Sequence, residues 1–428
     1  MIGWLRFIGV AAVVLTCELT AEAENWPGWR GPLGDGTTST PGPTHWDGES
    51  GKNIAWKTPL PGEGHSCPIV WQDRLFLTSC LPDSQQRLLM SVNRADGQIL
   101  WQRAVLKSRL ESKHALNSYA SSTPTTDGEF VYVSFFQAGD EQIVAPNVGN
   151  ERLIYPGQMV VAAYDFAGNQ QWLVRPGQFI SAHGFCSNPV LYGDLLIING
   201  DHDGDSYLVA LDKRSGKQVW KQPRVHRTRS YSTPLIRSVD GKDQLVLCGS
   251  VCVASFDPLT GNQIWSVDGP TEQFVASVVY DGSNFFAAGG FPTHHVMAIR
   301  PGGRGNVTDT HVSWHETNVR CYVPSPVLVG NHLLVADDRG TANCFDTKTG
   351  TRLWQTRLGR HYSASLTAAA GLVYFIDDDG VAKILRPGAE PEVIAENMLG
   401  EKVYASPAFA GGQLFVRGRN HLFCIQAD

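Results

Sequence analysis

Three acidic turns contain the side chains of this sequence that are best suited to bind a metal ion. They are Asp201-His202-Asp203-Gly204-Asp205, Asp337-Asp338-Arg339-Gly340 and Asp377-Asp378-Asp379-Gly380. A hard cation such as Ca²⁺ takes several oxygen ligands from a flexible loop, and Asp201, Asp203 and Asp205 would be its ligands here. A tight turn between two strands explains the same residues without an ion. We therefore predict no resident metal.

Signatures of known catalytic sites are absent from the sequence. It contains no Gly-x-Ser-x-Gly elbow, no His-Glu-x-x-His helix and no glycine-rich phosphate loop. His294 and His295 are adjacent, but neighbouring residues of a strand point to opposite faces, so a strand would keep them from one metal. A loop conformation would be needed to bring them together. We assign no catalytic residue.

Charge and composition restrict both the partners and the architecture. The 35 Lys and Arg residues against 41 Asp and Glu give a net charge of −6, which provides no basic surface for nucleic acid or an anionic membrane. Charged residues make up 18% of the 428 positions, below the roughly 25% of typical soluble domains. The 44 glycines and 24 prolines indicate many turns and few long helices.

Residues 1–23 have the features of an export signal. Arg6 precedes the apolar run 7–15, and Ala21-Glu22-Ala23 places small residues at the −3 and −1 positions of a cut. A membrane anchor is the alternative, but it needs about 20 apolar residues. Cys17 follows a threonine, a poor match to a lipoprotein cleavage box. We predict an exported mature chain, in the periplasm or cell envelope or secreted, without a transmembrane segment.

Cysteine chemistry is left open by the sequence. Eight of the nine cysteines remain after removal of residues 1–23, and an exported compartment permits disulfides. Cys248 and Cys252 would face each other across a tight hairpin, which would allow a bond between them. The alternative is two small buried side chains.

Internal repetition determines the predicted fold. The block 210–220 returns at 255–265 and 344–354, each time as an apolar-Asp pair, a turn ending in glycine, and a strand that carries a tryptophan. The spacings of 45, 71, 48, 45, 49 and 40 residues fit a four-stranded repeat with one long insertion. We predict that the tryptophans pack between neighbouring repeats. They are Trp56, Trp101, Trp172, Trp220, Trp265, Trp314 and Trp354.

A second motif, which we call the marker, precedes each repeat, and its eight copies indicate eight repeats. Its copies are Ser66-Cys67-Pro68, Ser122-Thr123-Pro124, Ser187-Asn188-Pro189, Ser232-Thr233-Pro234, Ala276-Ser277-Val278, Pro324-Ser325-Pro326, Ala364-Ser365-Leu366 and Ala405-Ser406-Pro407. The last repeat lacks a tryptophan strand, whereas an orphan strand stands at 53–57. We predict an all-β, eight-bladed β-propeller of four-stranded antiparallel blades over residues 52–428, closed by the N-terminal strand. A solenoid, which would expose two end caps, is the alternative.

Residues 24–51 form a separate Pro/Gly-rich segment ahead of the predicted propeller. Such turn-rich chains lack the periodicity of a strand or helix. We expect this segment to wrap the exterior or stay mobile.

The repeat pattern A-x-D-x-x-S/T-G-x-x-x-W, best matched at 210–220, resembles the tryptophan-docking repeat of the pyrroloquinoline-quinone (PQQ)-like β-propeller family. This family includes quinoprotein alcohol dehydrogenases and the outer-membrane assembly factor BamB. The resemblance covers roughly residues 50–428 and is specific for fold rather than function. Similarity to BamB implies a non-catalytic protein-binding or scaffold module of the cell envelope.

A quinoprotein-type dehydrogenase, or another enzyme that uses the channel mouth, is the alternative that the resemblance implies. Enzymes of the family hold PQQ with a calcium ion, a stacking tryptophan and two adjacent cysteines, and they use an aspartate as base. This sequence has no adjacent cysteines, and no set of its carboxylates matches the calcium pattern. We therefore expect no PQQ, no calcium and no catalytic activity.

Residues just before the markers should ring the channel mouth, because the innermost strand of each blade begins there. They are His65, Tyr119, His183, Arg229, Tyr231, Arg320, Tyr322, Arg360, His361, Tyr362 and Tyr404. Tyrosine and arginine give large contact area or a bidentate fork. We predict that the mouth of a monomer binds an extended peptide of an envelope protein, such as an outer-membrane barrel protein, or an acidic or sugar-like ligand. The arginines would capture it. The alternative is a funnel filled by these side chains.

Overall fold

The computed structural model describes residues 25–269 and 271–427 and confirms the predicted architecture. It is nearly all β, with eight antiparallel blades arranged as a β-propeller. One short helix, Thr308–His311, occurs in this part of the chain. None of the described helices is long and apolar enough to cross a membrane. The predicted signal peptide 1–23, including Cys17, lies outside the described residues.

The blades follow one another along the chain, and each contains four strands, ordered from the channel outward. Those of blades 1 to 4 are Ile69–Trp71, Arg74–Leu81, Gln86–Asn93 and Ile99–Lys107; Thr125–Thr126, Phe130–Ala138, Gly157–Asp165 and Gln170–Phe179; Val190–Tyr192, Leu195–Gly200, Tyr207–Asp212 and Gln218–Pro223; and Leu235–Val239, Lys242–Gly249, Cys252–Phe256 and Gln263–Asp268. Those of blades 5 to 8 are Val279–Tyr280, Phe285–Gly289, His295–Ile299 and Val312–Glu316; Val327–Val329, His332–Ala336, Thr341–Asp346 and Arg352–Arg357; Thr367–Ala369, Leu372–Ile376, Val381–Arg386 and Glu392–Met398; and Ala408–Ala410, Gln413–Arg417, His421–Gln426 and Ile54–Pro59.

Burial along the strands follows from the packing of blade against blade. The middle strands are buried at nearly every residue, as in Leu195–Gly200, because both faces of a blade contact its neighbours. The outer strands alternate between buried and exposed positions, as in Arg352–Arg357. Short segments add to this frame. They are Thr37–Thr38 beside blade 7, the hairpin Ile143–Val144 and Leu153–Ile154 inserted in blade 2, and Gly305–Asn306 on the outer edge of blade 4.

The N-terminal strand closes the ring, as predicted. Ile54–Pro59 pairs antiparallel with His421–Gln426 and forms the outermost strand of blade 8, with Trp56 opposite Cys424. A closed ring leaves no blade without a neighbour on either side. The first and last strands of the propeller therefore share one hydrophobic core.

Most tryptophans of the repeat hydrogen-bond to a turn of the next blade. The indole N–H of Trp56 donates to the carbonyl of Arg94 at 2.9 Å, and Gly97 (φ 75°) leaves no room for a side chain above the ring, since a Cβ there would stand 2.6 Å from it. The same indole contact joins Trp101, Trp172, Trp220, Trp314 and Trp354 to the carbonyls of Phe166, Lys213, Pro258, Thr347 and Gly388.

Trp265 differs from the other tryptophans of the repeat. Its indole N–H donates to Oε1 of Gln244, within its own blade, at 2.8 Å. The next blade has no Asp-turn-Gly copy, and Gly305–Asn306 pairs beside Trp265 instead. The indole ring of Trp265 is fully buried. The added segment therefore covers it, as the turn of the next blade covers the other tryptophans.

The markers form a hydrogen-bonded belt around the channel. In seven of the eight markers the central side chain accepts a hydrogen bond from the central residue of the preceding blade. The donor is a backbone N–H in every case except one, where the side-chain amide of Asn188 donates. The donor and acceptor pairs are Cys67–Thr123, Thr123–Asn188, Asn188–Thr233, Thr233–Ser277, Ser277–Ser325, Ser325–Ser365 and Ser365–Ser406. At the junction of blades 8 and 1, Arg417 instead donates to Ser66 Oγ at 2.9 Å, which completes the circle. We call this ring the marker belt.

Residues 26–38 cross the channel, and we call this segment the plug. Trp26 pairs with an inner strand of blade 1, and the buried Arg30 donates to carbonyls of blades 6 and 7. Thr37–Thr38 then runs parallel to the inner strand of blade 7. The sequence did not predict this path, because a turn-rich composition has no periodic pattern. The segment docks in the channel through single large side chains such as Trp26 and Arg30. The inner-strand partners of the plug are Val70, Thr126, Arg237, Pro326 and Ala368. The following residues run along the exterior, where the Trp46 backbone N–H donates to Asn397 and Asp47 pairs with Met398 of the outer strand of blade 7.

The described cysteines are all free thiols. Cys248 lies opposite Val253, and Cys252 lies opposite Gly249, so the two sulfurs belong to adjacent pairs of the hairpin. Adjacent pairs point to opposite faces, and Cys248 packs toward blade 5 while Cys252 packs toward blade 3. The bond between them that the sequence left open is therefore not formed.

We predict that Ser365→Ala lowers the free energy of unfolding by about 1–3 kcal/mol, because it leaves the buried N–H of Ser325 without an acceptor. Urea denaturation measures this change. The exposed Ser283→Ala should change stability by less than about 0.5 kcal/mol. Equal losses in both variants would show that the belt contributes no stability.

Candidate functional site

A cavity of about 1170 Å³ occupies the channel at the end where the inner strands begin. Marker-belt residues line it, among them Thr123, Asn188 and Ser365. Trp29 of the plug also lines it, and the plug contacts inner strands on opposite sides of the ring. The channel is therefore a cup that opens at one end.

The structure brings six of the eleven predicted mouth residues together. The residues in the cavity wall are His65, His183, Arg229, Tyr231, Tyr322 and Tyr404. The rings of His65 and Tyr404 lie 4.7 Å apart across the junction of blades 8 and 1. Their binding role stays a prediction.

The other five predicted mouth residues lie outside the cavity wall. Tyr119 packs beneath the cation of Lys113, 5.1 Å from its ring centroid. Tyr362 is buried in the core between blades 6 and 7. His361 Nδ1 bonds Asp378 at 2.7 Å, and Arg360 reaches Asp379 at 3.5 Å. Arg320 lines a separate notch. Consecutive residues of an extended segment point to opposite sides, so a run before a marker cannot place all its members in the cavity.

Arg229 is a buried structural cation rather than a free one. Its Nη1 contacts both carboxylate oxygens of Asp203, at 2.8 and 2.7 Å. Asn147 of the blade 2 insertion donates to the same carboxylate at 3.1 Å, and its carbonyl accepts from Arg229. Burial raises the pKa of Asp203, and Arg229 opposes that shift. This three-residue contact anchors the insertion loop over the cavity.

The candidate calcium ligands are engaged by arginines. Asp201 forms a buried pair with Arg224 at 3.0 Å, and Asp205 pairs with the exposed Arg227. With Asp203 on Arg229, each of the three carboxylates has a cationic partner. The described residues contain no group of three or more His, Cys, Asp or Glu side chains that is suited to a metal.

Histidines contribute more of the wall than the sequence indicated. Alongside His65 and His183, the residues His114, His226 and His294 line the cavity. Burial, together with Arg417 and Lys113, lowers the pKa of His65 to about 3. Burial, with Arg229 next, lowers the pKa of His183 to about 4. Both are neutral near pH 7, so they offer hydrogen bonds rather than charge.

Exposed apolar side chains lie in the cavity wall at the open end and on the segments that contribute to it. Leu116 and Phe291 line the cavity and are 40% and 49% exposed. Val225, next to the lining residue His226, is 86% exposed. Val144 and Leu153 form an exposed cross-strand pair at the base of the insertion loop. We call these five residues the apolar rim. Sequence reasoning missed them because loops give no periodic signal and the long blade 2 insertion had no assigned role.

The repeats, the closure and the plugged cup can be compared with known proteins. A family model described as outer membrane protein assembly factor BamB matches residues 37–155, 142–304 and 308–386, most of the chain. The chain belongs to this family of PQQ-like β-propellers. The overlapping matches reflect the internal repeats. A comparison with curated proteins finds no significant match.

Two solved structures share the fold. BamB from Moraxella catarrhalis is 13% identical, with a TM-score of 0.57 over 87% of this chain and 96% of that one. Quinohemoprotein alcohol dehydrogenase from Comamonas testosteroni is 11% identical, with a TM-score of 0.52 over 94% of this chain and 80% of that one. Identities this low show the fold alone.

The cavity wall does not fit the quinone and calcium that some family members hold. The carboxylates that the described residues place in the wall are Glu272 and Asp338, and Asp338 Oδ1 accepts the backbone N–H of Val323 at 3.1 Å. A calcium site takes six to eight oxygens. The wall cysteines, Cys67 and Cys186, come from different blades, and burial raises the pKa of both thiols.

We predict that His65→Gln flattens the pH dependence of stability. An unfolded histidine protonates near pH 6.5, whereas folded His65 protonates only near pH 3. Between these values the unfolded chain binds the extra proton, so the free energy of unfolding falls as pH drops through 6.5. Urea denaturation between about pH 4 and 7 gives the slope of the free energy of unfolding against pH. In the variant this slope should be smaller by an amount that corresponds to the uptake of up to one proton. The exposed His45→Gln serves as the control, and a slope unchanged by His65→Gln would contradict the assignment.

Proposed function

We propose that this propeller is a non-catalytic binding or scaffold module of the cell envelope, whose cup holds an extended segment of a partner protein. The observation that carries the proposal is the apolar rim around a polar cup that is closed at its far end. Export through the signal at 1–23 would place the chain in the envelope. Membership of the BamB-described family supports protein binding as its role.

The size of the cup favours a peptide segment. Pockets for small molecules hold roughly 300–1,000 Å³, and this cavity of about 1170 Å³ is larger. A ligand can enter and leave only through the rim, because the plug occupies the other end. A loop or a chain terminus of a partner meets this requirement, since it needs no exit on the far side.

The chemistry of the wall favours an extended backbone. Hydroxyl and amide groups of the marker belt and the neutral histidines offer donors and acceptors, and the buried Arg229 is neutralised by Asp203. A peptide backbone has an N–H and a C=O at each non-proline residue that must be paired when buried. The wall can pair such groups without leaving a charge uncompensated.

The rim supplies the affinity that polar groups alone do not. Exposed apolar side chains grouped at an opening are typical of protein interfaces, and aromatic anchors such as Phe291 contribute most to binding. We expect a monomer with one partner, for which an outer-membrane barrel protein is one candidate. We expect no binding of nucleic acid.

We predict that the double variant Leu116→Asp, Phe291→Asp loses at least roughly 10-fold in partner affinity, because two desolvated anchors become charged. A photocrosslinker at Phe291 in intact cells would identify the partner by mass spectrometry. Calorimetry with the purified partner would then compare wild type with the double variant.

The matched control is Val219→Asp, Leu259→Asp, which charges two exposed apolar residues, one on the outer strand of blade 3 and one in the turn before the outer strand of blade 4. It should bind as wild type does, and all three proteins should unfold at the same urea concentration. Equal affinity of the rim variant, or crosslinks as frequent at Leu259 as at Phe291, would contradict the proposal.

A quinoprotein-type dehydrogenase is the second candidate, favoured by the fold shared with an alcohol dehydrogenase over most of the chain. We expect titration with PQQ and Ca²⁺ to give no saturable absorbance change and no dye reduction with alcohols or sugars. Saturable binding together with turnover would favour the enzyme instead.

A further inference from the structure

A second, smaller notch lies on blade 6, separate from the cup. It has a volume of about 280 Å³. Three arginines from different parts of the blade line it. Arg320 precedes the inner strand, Arg339 stands in the turn before Thr341–Asp346, and Arg357 ends the outer strand. The other lining residues are Asn318, Val319, Asp337, Thr341 and Gln355.

These three guanidinium groups have no anionic partner within the described residues. None of them forms an ion pair there, in contrast to the arginines that pair with the acidic turn of blade 3. Arg357 donates only its Nε, to the carbonyl of Gly359 at 3.3 Å. The side chains of Arg320 and Arg339 have no hydrogen-bond partner in the part of the chain that the structure describes.

Asp337, the one carboxylate that the described part of the chain places in the notch, bonds to its own turn. Asp337 Oδ1 accepts the backbone N–H groups of Arg339 and Thr341, each at 2.8 Å. Its side chain is buried. The notch therefore combines three cations with at most one partly engaged anion, in a chain whose overall net charge is −6.

The notch is also held in place by contacts outside it. Arg352 donates to the carbonyl of Asn318, which ties the segment carrying Arg320 to the outer strand. The turn carrying Arg339 is fixed by Asp337. Arg320, Arg339 and Arg357 are exposed residues that line one notch from a backbone held by these contacts.

We propose that this notch binds a tetrahedral oxyanion, a phosphate or sulfate ester. A carboxylate has two oxygens and matches one guanidinium fork, whereas a phosphate or sulfate ester has three free oxygens that several forks can share. Asn318, Thr341 and Gln355 supply further polar groups. The volume of about 280 Å³ accommodates the ester group and the atoms next to it.

The test is calorimetric titration with inorganic phosphate and with sulfate at low ionic strength. Wild type should bind with saturation, and the triple variant Arg320→Gln, Arg339→Gln, Arg357→Gln should bind at least roughly 10-fold more weakly, since charge-assisted bonds supply the affinity. The matched control Arg175→Gln, Arg304→Gln, Arg419→Gln removes the same charge from exposed positions elsewhere, and should bind within about two-fold of wild type.

A second arm distinguishes the source of the ester. Phosphatidylcholine vesicles with and without phosphatidic acid are mixed with wild type and the triple variant, and cosedimentation is measured. Notch-dependent cosedimentation identifies a lipid headgroup, and saturable phosphate binding without it identifies a soluble ester. Failure of wild type to bind in either arm, or equal binding by the triple variant, overturns the proposal. The rim variants leave this site intact, so the result is independent of the partner protein.

Discussion

The structure depends on how the central residue of each marker is bonded to the next blade. A blade has a narrow inner edge, where backbone groups face the channel and have no further strand to pair with. The marker belt satisfies these groups with a side-chain acceptor from the neighbouring blade, at distances of 2.7–3.0 Å around the ring. A buried N–H that loses its acceptor costs about 1–3 kcal/mol. The belt, with Arg417 at the junction of blades 8 and 1, therefore couples every blade to its neighbours at the axis. Six of the seven tryptophans couple neighbouring blades at the periphery.

The same belt defines the cavity. Its hydroxyl and amide groups line the cup, and the plug contacts the inner strands just beyond them. Arg30 shows how closely the two are joined, because its buried guanidinium donates to marker carbonyls of blades 6 and 7. Burial lowers the pKa of Arg30 to about 10, which leaves it charged near neutral pH. The polar groups at the closed end of the cup are thus the same groups that join neighbouring blades into a ring.

The arginines of this protein fall into two groups. Some are buried and bonded within the fold, and others have no anionic partner among the described residues and can bind a ligand. Arg229 is paired with Asp203, and Arg417 is buried on the carbonyl of Thr78. Arg320 has no such partner among the described residues. Residue type alone does not reveal this difference, since Arg229 and Arg320 are both arginines that lie three and four residues before their markers. The electrostatic character of the mouth and of the blade 6 notch follows from which carboxylates the turns bring close.

The sequence by itself determined the number of blades, the closing strand and the docking of most tryptophans. These features repeat along the chain, and a repeated local pattern such as Asp212 to Trp220 has the same local solution each time. Trp265 does not dock in this way, because the next blade lacks the Asp-turn-Gly copy that would accept its indole N–H. That contact depends on the sequence of another repeat. The channel plug, the apolar rim and the true partners of Arg229 and Asp203 were decided only by the tertiary structure. They are single contacts between residues far apart in the chain, and such contacts leave no periodic signal because nothing local requires them.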